Sequence, residues 1–190
     1  MNRPAVFLDR DGTIIEDVGY LDSLDRIVWY PWSVDVVRAL NQAGFPVVVI
    51  TNQAGVARGY FPETFVHEVH RALDSHLTAG GARVDAYYYC PHHADGSVAA
   101  YRRACECRKP GCGMITRAAA DLGLDPARSV VVGDAWSDIG AARAAGARGL
   151  LLRSNGRRLK DTRGGDVEPD AIVDHLAAAA SWILTNVDRT

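Results

Sequence analysis

The sequence predicts an α/β protein in which helices cover both faces of a mainly parallel β-sheet. Short apolar runs alternate with helical patterns along the chain, the order expected of strands joined by crossover helices. Three of these runs are almost purely apolar, as strands buried on both faces should be. With 190 residues, of which 48% are hydrophobic, the chain is long and apolar enough for one domain over residues 1–190.

Five short segments are predicted as strands and five longer ones as helices. The strands are Ala5–Leu8, Pro46–Ile50, Val84–Tyr89, Ser129–Val132 and Gly149–Leu152. The helices are Val34–Gln42, Pro62 to about Leu77, Met114–Leu122, Ser137–Ala145 and His175–Asn186. Ser33 is expected to cap the first helix, and Pro62 to lie in the first turn of the second. His67 and His70 are expected on a solvated face of that second helix.

Charge and hydropathy exclude several classes of partner. The net charge of −2 gives no general attraction for nucleic acid or for an anionic membrane. No segment is long and apolar enough to span a bilayer, and the N-terminus leads straight into the first strand without room for a signal peptide. We therefore expect a cytoplasmic monomer that acts on a small molecule. The polar segment Ser154–Glu168 is predicted to be a solvated loop.

Two carboxylates, Asp9 and Asp11, follow the first predicted strand directly and precede Gly12. In an extended chain they lie on the same side, and two like charges that close repel unless a cation offsets them. A divalent cation does this well, so the pair suggests a metal-assisted site in which one aspartate does covalent chemistry. An ordinary Asp-Gly turn is the alternative that these residues alone leave open.

Polar residues also follow two other predicted strands. Thr51, Asn52 and Gln53 come after the second strand, and Asp134 and Asp138 follow the fourth. Each alone is consistent with a strand end or a helix cap. Because ligands of parallel sheets bind beyond the carboxyl ends of the strands, their joint placement indicates one site together with the first pair.

These residues suit phosphoryl transfer. Asp9 can attack a phosphoryl group and carry it as an aspartyl-phosphate. Mg²⁺ suits an all-oxygen site made of Asp9, a backbone carbonyl near Asp11, and Asp134. Asp11 is then free to protonate the leaving oxygen and later to deprotonate water. Thr51 can donate its hydroxyl to the phosphoryl group, and Lys109 can bring a positive charge to it.

A long loop, at about residues 90–113, carries four soft ligands in two closely spaced pairs. They are Cys90, His92, Cys105 and Cys107. Three thiolates and one imidazole make a closed tetrahedral Zn²⁺ site, which would compact a loop that has no core of its own. His93 and Cys112 compete for the fourth ligand position, and free thiols or disulfides are the alternatives to zinc.

These motifs resemble those of haloacid dehalogenase (HAD) superfamily phosphatases. The matching runs, in order, are Asp9-Arg10-Asp11-Gly12-Thr13, Thr51-Asn52-Gln53, Lys109 and Gly133-Asp134. The chain is most similar to one branch, the D-glycero-D-manno-heptose 1,7-bisphosphate 7-phosphatases. That similarity lies in Asp17–Tyr20, Thr51–Gly59, Cys90–His93 and Cys105–Pro110.

The resemblance implies a three-layer Rossmann-like HAD fold with a minimal cap and a zinc-binding loop. It implies Mg²⁺-dependent hydrolysis of the C7 phosphate, with Asp9 as nucleophile, Asp11 as acid/base, and Thr51 and Lys109 steadying the phosphoryl group. The implied Mg²⁺ ligands are Asp9, Asp11 and Asp134, and the implied Zn²⁺ ligands are Cys90, His92, Cys105 and Cys107. The implied substrate contacts are Asp17, Gly19, Tyr20, Asn52, Gln53 and Arg108, with Arg108 facing the phosphate that is not cleaved.

Three positions depart from the family pattern. Ala54 stands where serine is often seen, Ala135 where some relatives have lysine, and Cys112 where proline is usual. Alternative functions are histidinol-phosphate phosphatase, another small sugar-phosphate phosphatase, or a catalytically silent zinc-stabilised binding protein. The four intact residues of the chemistry argue against the silent protein; they are Asp9, Asp11, Lys109 and Asp134.

Overall fold

The computed structural model describes residues 2–153 and 167–188, and within them one parallel β-sheet forms the centre of the protein. Its strands are β1 Val6–Leu8, β2 Val47–Asn52, β3 Ala86–Cys90, β4 Val130–Gly133, β5 Arg148–Leu152 and β6 Ala171–Val173. Their spatial order is β3-β2-β1-β4-β5-β6, and every neighbouring pair is parallel. The predicted mainly parallel sheet is confirmed.

Helices cover both faces of the sheet, which confirms the three-layer architecture. They are α1 Ser33–Gln42, α2 Ala54–Ala57, α3 Glu63–Ala79, α4 Gly113–Leu122, α5 Trp136–Ala144 and α6 Leu176–Asn186. Val6 and Leu8 of β1 pack into the core shared with α1, α3 and α6, whereas Phe7 packs into the core shared with α4 and α5. Alternate residues of one strand thus fill two cores, which explains why the run is apolar throughout.

Several local expectations need correction. Ser33 does not cap α1: its hydroxyl donates to the Ile14 carbonyl at 2.5 Å, and Trp32 occupies the cap position. Pro62 precedes α3 instead of lying in its first turn. His70 is not solvated but 6% exposed, and its ring stacks on Tyr87.

Other differences concern elements that the sequence did not predict. The structure adds the short helix α2 and the edge strand β6. Most of the predicted loop Ser154–Glu168 lies outside the described residues. Among the residues that are described, no helix combines the length and apolar character needed to cross a membrane.

The topology places the end of β1 at the point where the strand order reverses. From β1 the chain builds outward through β2 and β3, then returns to the other side of β1 for β4 and β5. The carboxyl ends of β1, β2 and β4 therefore lie side by side, and in such sheets ligands bind in the crevice at this reversal.

Candidate active site and metal sites

A cavity of about 310 Å³ lies at the carboxyl ends of these central strands. Its walls include the predicted chemical residues Asp9, Asp11, Thr51, Lys109 and Asp134. Its walls also include every predicted substrate contact, namely Asp17, Gly19, Tyr20, Asn52, Gln53 and Arg108. The structure therefore brings together residues that are up to 125 positions apart, from Asp9 to Asp134.

Lys109 is a buried cation in this cavity. Its Nζ lies 2.9 Å from Asp9 Oδ1 and 2.5 Å from Asp138 Oδ1, and it donates to the Ile50 carbonyl at 3.1 Å. Burial alone would lower the pKa of Lys109, but the carboxylates of Asp138 and Asp9 outweigh it and raise that pKa. Lys109 is therefore a cation at neutral pH, placed beside the predicted nucleophile.

Asp138 belongs to the predicted set of polar residues, but the sequence analysis assigned it no role. Its side chain is completely buried, and Oδ2 accepts a hydrogen bond from the Ala135 amide at 3.1 Å while Oδ1 pairs with Lys109. Burial and the Asp9 carboxylate raise the pKa of Asp138, whereas the ammonium of Lys109 opposes this rise. Its position four residues after Asp134, inside the same polar run, was the available signal.

Three buried acids can supply oxygen ligands to one cation. Carboxylate oxygens of Asp9, Asp134 and Asp138 all lie within 4.8 Å of one another. A cluster of hard oxygen donors in a buried place fits a small divalent cation such as Mg²⁺. Asp9 and Asp138 also pair with Lys109, so a cation held by this cluster would lie close to the lysine ammonium.

The Asp11 carboxylate points to different partners. Arg10 contacts it through Nε at 3.1 Å and Nη2 at 3.0 Å, and Gln53 Nε2 donates to its other oxygen at 2.9 Å. Gln53 Nε2 also contacts Thr51 Oγ1 at 2.8 Å. Asp11 thus lies in the cavity beside Thr51, and its part in holding Mg²⁺ stays a prediction.

Asn52 holds the backbone of Lys109. Its Nδ2 donates to the Lys109 carbonyl at 3.1 Å, and its Oδ1 accepts from the Lys109 amide at 3.0 Å. The last residue of β2 therefore fixes the loop that carries the cation. Its contact with substrate stays a prediction.

The predicted zinc ligands form a second cluster. Cys107 Sγ lies 3.2 Å from the sulfurs of both Cys90 and Cys105, and 3.4 Å from His92 Nδ1. Three thiols and one imidazole at these separations fit a closed four-ligand Zn²⁺ site. The competing residues lie elsewhere: His93 Nδ1 accepts from the Asp95 amide, and Cys112 contacts Thr116.

The zinc-ligand loop is joined to both the core and the cavity. Glu63 of α3 accepts hydrogen bonds from the hydroxyls of Tyr89 at 2.8 Å and Tyr101 at 2.6 Å. Arg108 follows the last ligand and donates to the His92 carbonyl at 3.3 Å. The cluster therefore sets the position of Arg108, and of Lys109 after it, at the cavity wall.

Comparisons with known proteins point to one group of enzymes. The family model of HAD-hydrolase-like proteins matches residues 106–179. The chain is 49% identical over 148 residues to a D-glycero-beta-D-manno-heptose-1,7-bisphosphate 7-phosphatase of Rhodopseudomonas palustris, covering 78% of this chain and 82% of the relative. It is 42% identical to the D-glycero-D-manno-heptose-1,7-bisphosphate 7-phosphatase of Thermosynechococcus vestitus, covering 98% of each.

A solved structure agrees with these sequence relatives. The D,D-heptose 1,7-bisphosphate phosphatase of B. bronchiseptica, crystallised with magnesium and phosphate, is 34% identical and superposes with a TM-score of 0.84. The match covers 97% of this chain and 99% of that one.

Proposed function

Since this chain belongs to the D-glycero-D-manno-heptose-1,7-bisphosphate 7-phosphatase family of the HAD superfamily, we propose that it hydrolyses the C7 phosphate of that sugar bisphosphate. The reaction is Mg²⁺-dependent and passes through an aspartyl-phosphate. The observation that carries the proposal is the buried pair of Asp9 and Lys109 at 2.9 Å inside the acidic cavity.

Asp9 is the nucleophile. One of its carboxylate oxygens attacks phosphorus, and the bond from phosphorus to the sugar oxygen breaks. Lys109 neutralises negative charge on the phosphoryl oxygens, and the Thr51 hydroxyl donates to the same group. Phosphoryl transfer depends mainly on positioning and charge stabilisation, which a buried and already paired cation supplies without rearrangement.

Asp11 moves the protons. It donates one to the departing sugar oxygen, and it then takes one from the water that attacks the phosphorus of the aspartyl-phosphate. This second attack releases inorganic phosphate and restores Asp9. The contacts of Asp11 with Arg10 and Gln53 support the role, because they keep its carboxyl group inside the cavity.

Asp9 and Asp134 would hold the Mg²⁺ ion, with the backbone carbonyl of Asp11 as a further ligand. When bound, Mg²⁺ offsets the charge that builds up as an anionic nucleophile meets an anionic phosphate. The three-acid cluster fits the ion because its oxygens already converge.

Arg108 would bind the phosphate that is not cleaved. It lines the cavity, and its contact with the His92 carbonyl holds it against the zinc-ligand loop. Arg58 lies close by, since its Nη2 is 3.4 Å from His93 Nε2. Burial lowers the pKa of His93, and the charges of Arg108 and Arg58 lower it further. A cavity wall with these cations suits a second anionic group, here the phosphate that is not cleaved.

Kinetics with a panel of phosphate esters tests the proposal. The heptose 1,7-bisphosphate should be turned over faster than histidinol phosphate or simple sugar monophosphates. Asp9→Asn should abolish turnover while circular dichroism and zinc content stay as in the wild type. Faster turnover of histidinol phosphate, or near wild-type activity in Asp9→Asn, would refute the assignment.

A further inference from the structure

Arg10 is a buried cation to which the reaction above assigns no direct part. It is 2% exposed and lies in the chain between the two aspartates of the chemistry. A charged side chain is rarely buried so completely unless it is paired. The partner of Arg10 therefore identifies what its charge is for.

That partner is Asp11. Nε and Nη2 of Arg10 both donate to the Asp11 carboxylate, and the Nη2–Oδ2 separation is 2.9 Å. A two-point contact between a planar guanidinium and a carboxylate fixes the plane of the carboxylate as well as its place. Gln53 Nε2 donates to Oδ2 of the same carboxylate at 2.9 Å, so Asp11 accepts hydrogen bonds from two side chains.

The backbone of Arg10 is held by a turn. The Arg10 carbonyl accepts from the amides of Thr13 at 3.3 Å, Ile14 at 3.0 Å and Ile15 at 3.2 Å. Both ends of the residue are thus fixed, by backbone bonds on one side and by the ion pair on the other. A donor held in this way is preorganised before substrate arrives.

The cavity therefore contains two separate ion-pair systems. Lys109 pairs with Asp9 and Asp138, whose oxygens lie with those of Asp134 in the candidate Mg²⁺ cluster. Arg10 pairs with Asp11. Each buried cation holds a different aspartate, although Asp9 and Asp11 are only two residues apart.

We propose that Arg10 is a positioning residue that holds the Asp11 carboxyl group at the leaving oxygen and away from the Mg²⁺ cluster. This inference rests on the proposed phosphatase function. In this role Arg10 acts on the reaction through Asp11.

Two substrates with different leaving groups test the inference. A sugar alkoxide needs a proton to depart, whereas the nitrophenolate of p-nitrophenyl phosphate leaves without one. The quantity to compare is kcat/KM, because it reports the steps up to the first irreversible one, here departure of the alcohol. Loss of a positioned acid should affect the sugar phosphate and spare the aryl phosphate.

Arg10→Met should lower kcat/KM by about 10²-fold for the sugar phosphate and by less than about tenfold for p-nitrophenyl phosphate. Asp11→Asn should show the same contrast, and the double variant should be no slower on the sugar phosphate than Asp11→Asn alone. Arg10→Lys keeps the buried charge but cannot make the two-point contact. If Arg10→Met does not fold, Arg10→Lys replaces it in the test and should show the same difference between the two substrates. Ile14→Val perturbs packing of the same turn and should leave the ratio of the two substrates unchanged.

Equal losses on both substrates would overturn the inference, because they indicate that Arg10 binds phosphate or only maintains the fold. Multiplied losses in the double variant would overturn it as well. Any alkyl phosphate that the wild type hydrolyses can serve, so the ratio tests Arg10 even if the heptose bisphosphate is the wrong substrate.

Discussion

Lys109 Nζ lies 2.5 Å from Asp138 Oδ1, and both side chains are buried. Asp138 also accepts from the Ala135 amide at the start of α5, so one carboxylate ties the loop after the zinc ligands to the loop after β4. Asp138 therefore holds the Lys109 ammonium in its position beside Asp9.

Asp138→Asn should weaken both stability and activity. Removing one charge of a buried ion pair typically costs about 3–5 kcal/mol, and the lower end of this range applies here because Asp9 still pairs with Lys109. We expect the free energy of unfolding in urea to fall by roughly this amount. We expect kcat to fall at least about tenfold, because Lys109 loses one of the two carboxylate partners that the described residues give it.

The matched control is Asp35→Asn. Asp35 also forms an ion pair, with Arg38, but its side chain is 71% exposed. Exposed pairs contribute at most about 1 kcal/mol, so this variant should unfold and turn over much like the wild type. Equal effects of the two substitutions would contradict the role assigned to Asp138.

Gly12→Ala should damage the Mg²⁺ site. Gly12 has φ +89°, and a Cβ placed there would overlap the carboxylate of Asp134. Asp134 would have to move, so we expect calorimetric Mg²⁺ affinity to fall at least about tenfold, by analogy with the loss of a supporting contact at a metal ligand.

Gly44→Ala separates this overlap from backbone strain. Gly44 has nearly the same φ, +88°, but nothing lies within 4 Å of its Cβ position. It should lose about 1–2 kcal/mol of stability and keep its Mg²⁺ affinity. Parallel losses of affinity in both variants would show that strain alone is responsible.

Sequence reasoning predicted the sites where position along a strand decides position in space. Asp9, Thr51 and Asp134 each follow an apolar run, and parallel strands bring such ends together. Asp138 could not be assigned in this way, because a local pattern does not distinguish a helix cap from the counter-ion of a distant lysine. The structure shows that it is both.

The other residues that the sequence did not predict correctly differ from expectation in how deeply they are buried. His70 lies among polar residues of α3, yet it packs on Tyr87, because the helix turns that face toward β3. Arg10 resembles a solvated residue in a polar motif but is enclosed by the turn that it begins. Strand β6 is apolar but only three residues long, and Ile172 is 49% exposed, so its apolar run is too short to indicate a strand in the sequence.

Zinc should be found at about one ion per chain by elemental analysis. Cys105→Ser should reduce this content and increase hydrogen exchange over residues 90–113, because a ligand of the cluster is lost. Activity should fall too, since Arg108 and Lys109 follow the last ligand directly.

Cys112→Ser is the control, because that thiol contacts Thr116 outside the cluster, and it should retain zinc. Zinc-free wild-type protein of equal stability would refute a structural ion.

Arg108→Gln should weaken binding of the bisphosphate selectively. A charge-assisted hydrogen bond contributes about 1.5–3 kcal/mol, so KM for the sugar bisphosphate should rise about tenfold or more. The KM for p-nitrophenyl phosphate should change little, because this ester has no second phosphate. Arg102→Gln, which alters an exposed residue of the same loop, should change neither value. A similar rise for both esters would place Arg108 at the reacting phosphate instead.

His70 should make the protein less stable in acid. Burial, reinforced by Arg10 and His67, lowers the pKa of His70 from 6.5 to about 3. Between these values the unfolded chain binds a proton that the folded protein does not, so stability falls as pH decreases from 6.5 toward 3, by at most about 1.4 kcal/mol per pH unit. His70→Phe keeps a ring against Tyr87 and should flatten this part of the curve of unfolding free energy against pH.

Val69→Ala is the control, because it removes buried contacts from the same helix without changing a titrating group. Its curve should therefore run parallel to that of the wild type. An unchanged slope in His70→Phe would show that other groups cause the acid sensitivity.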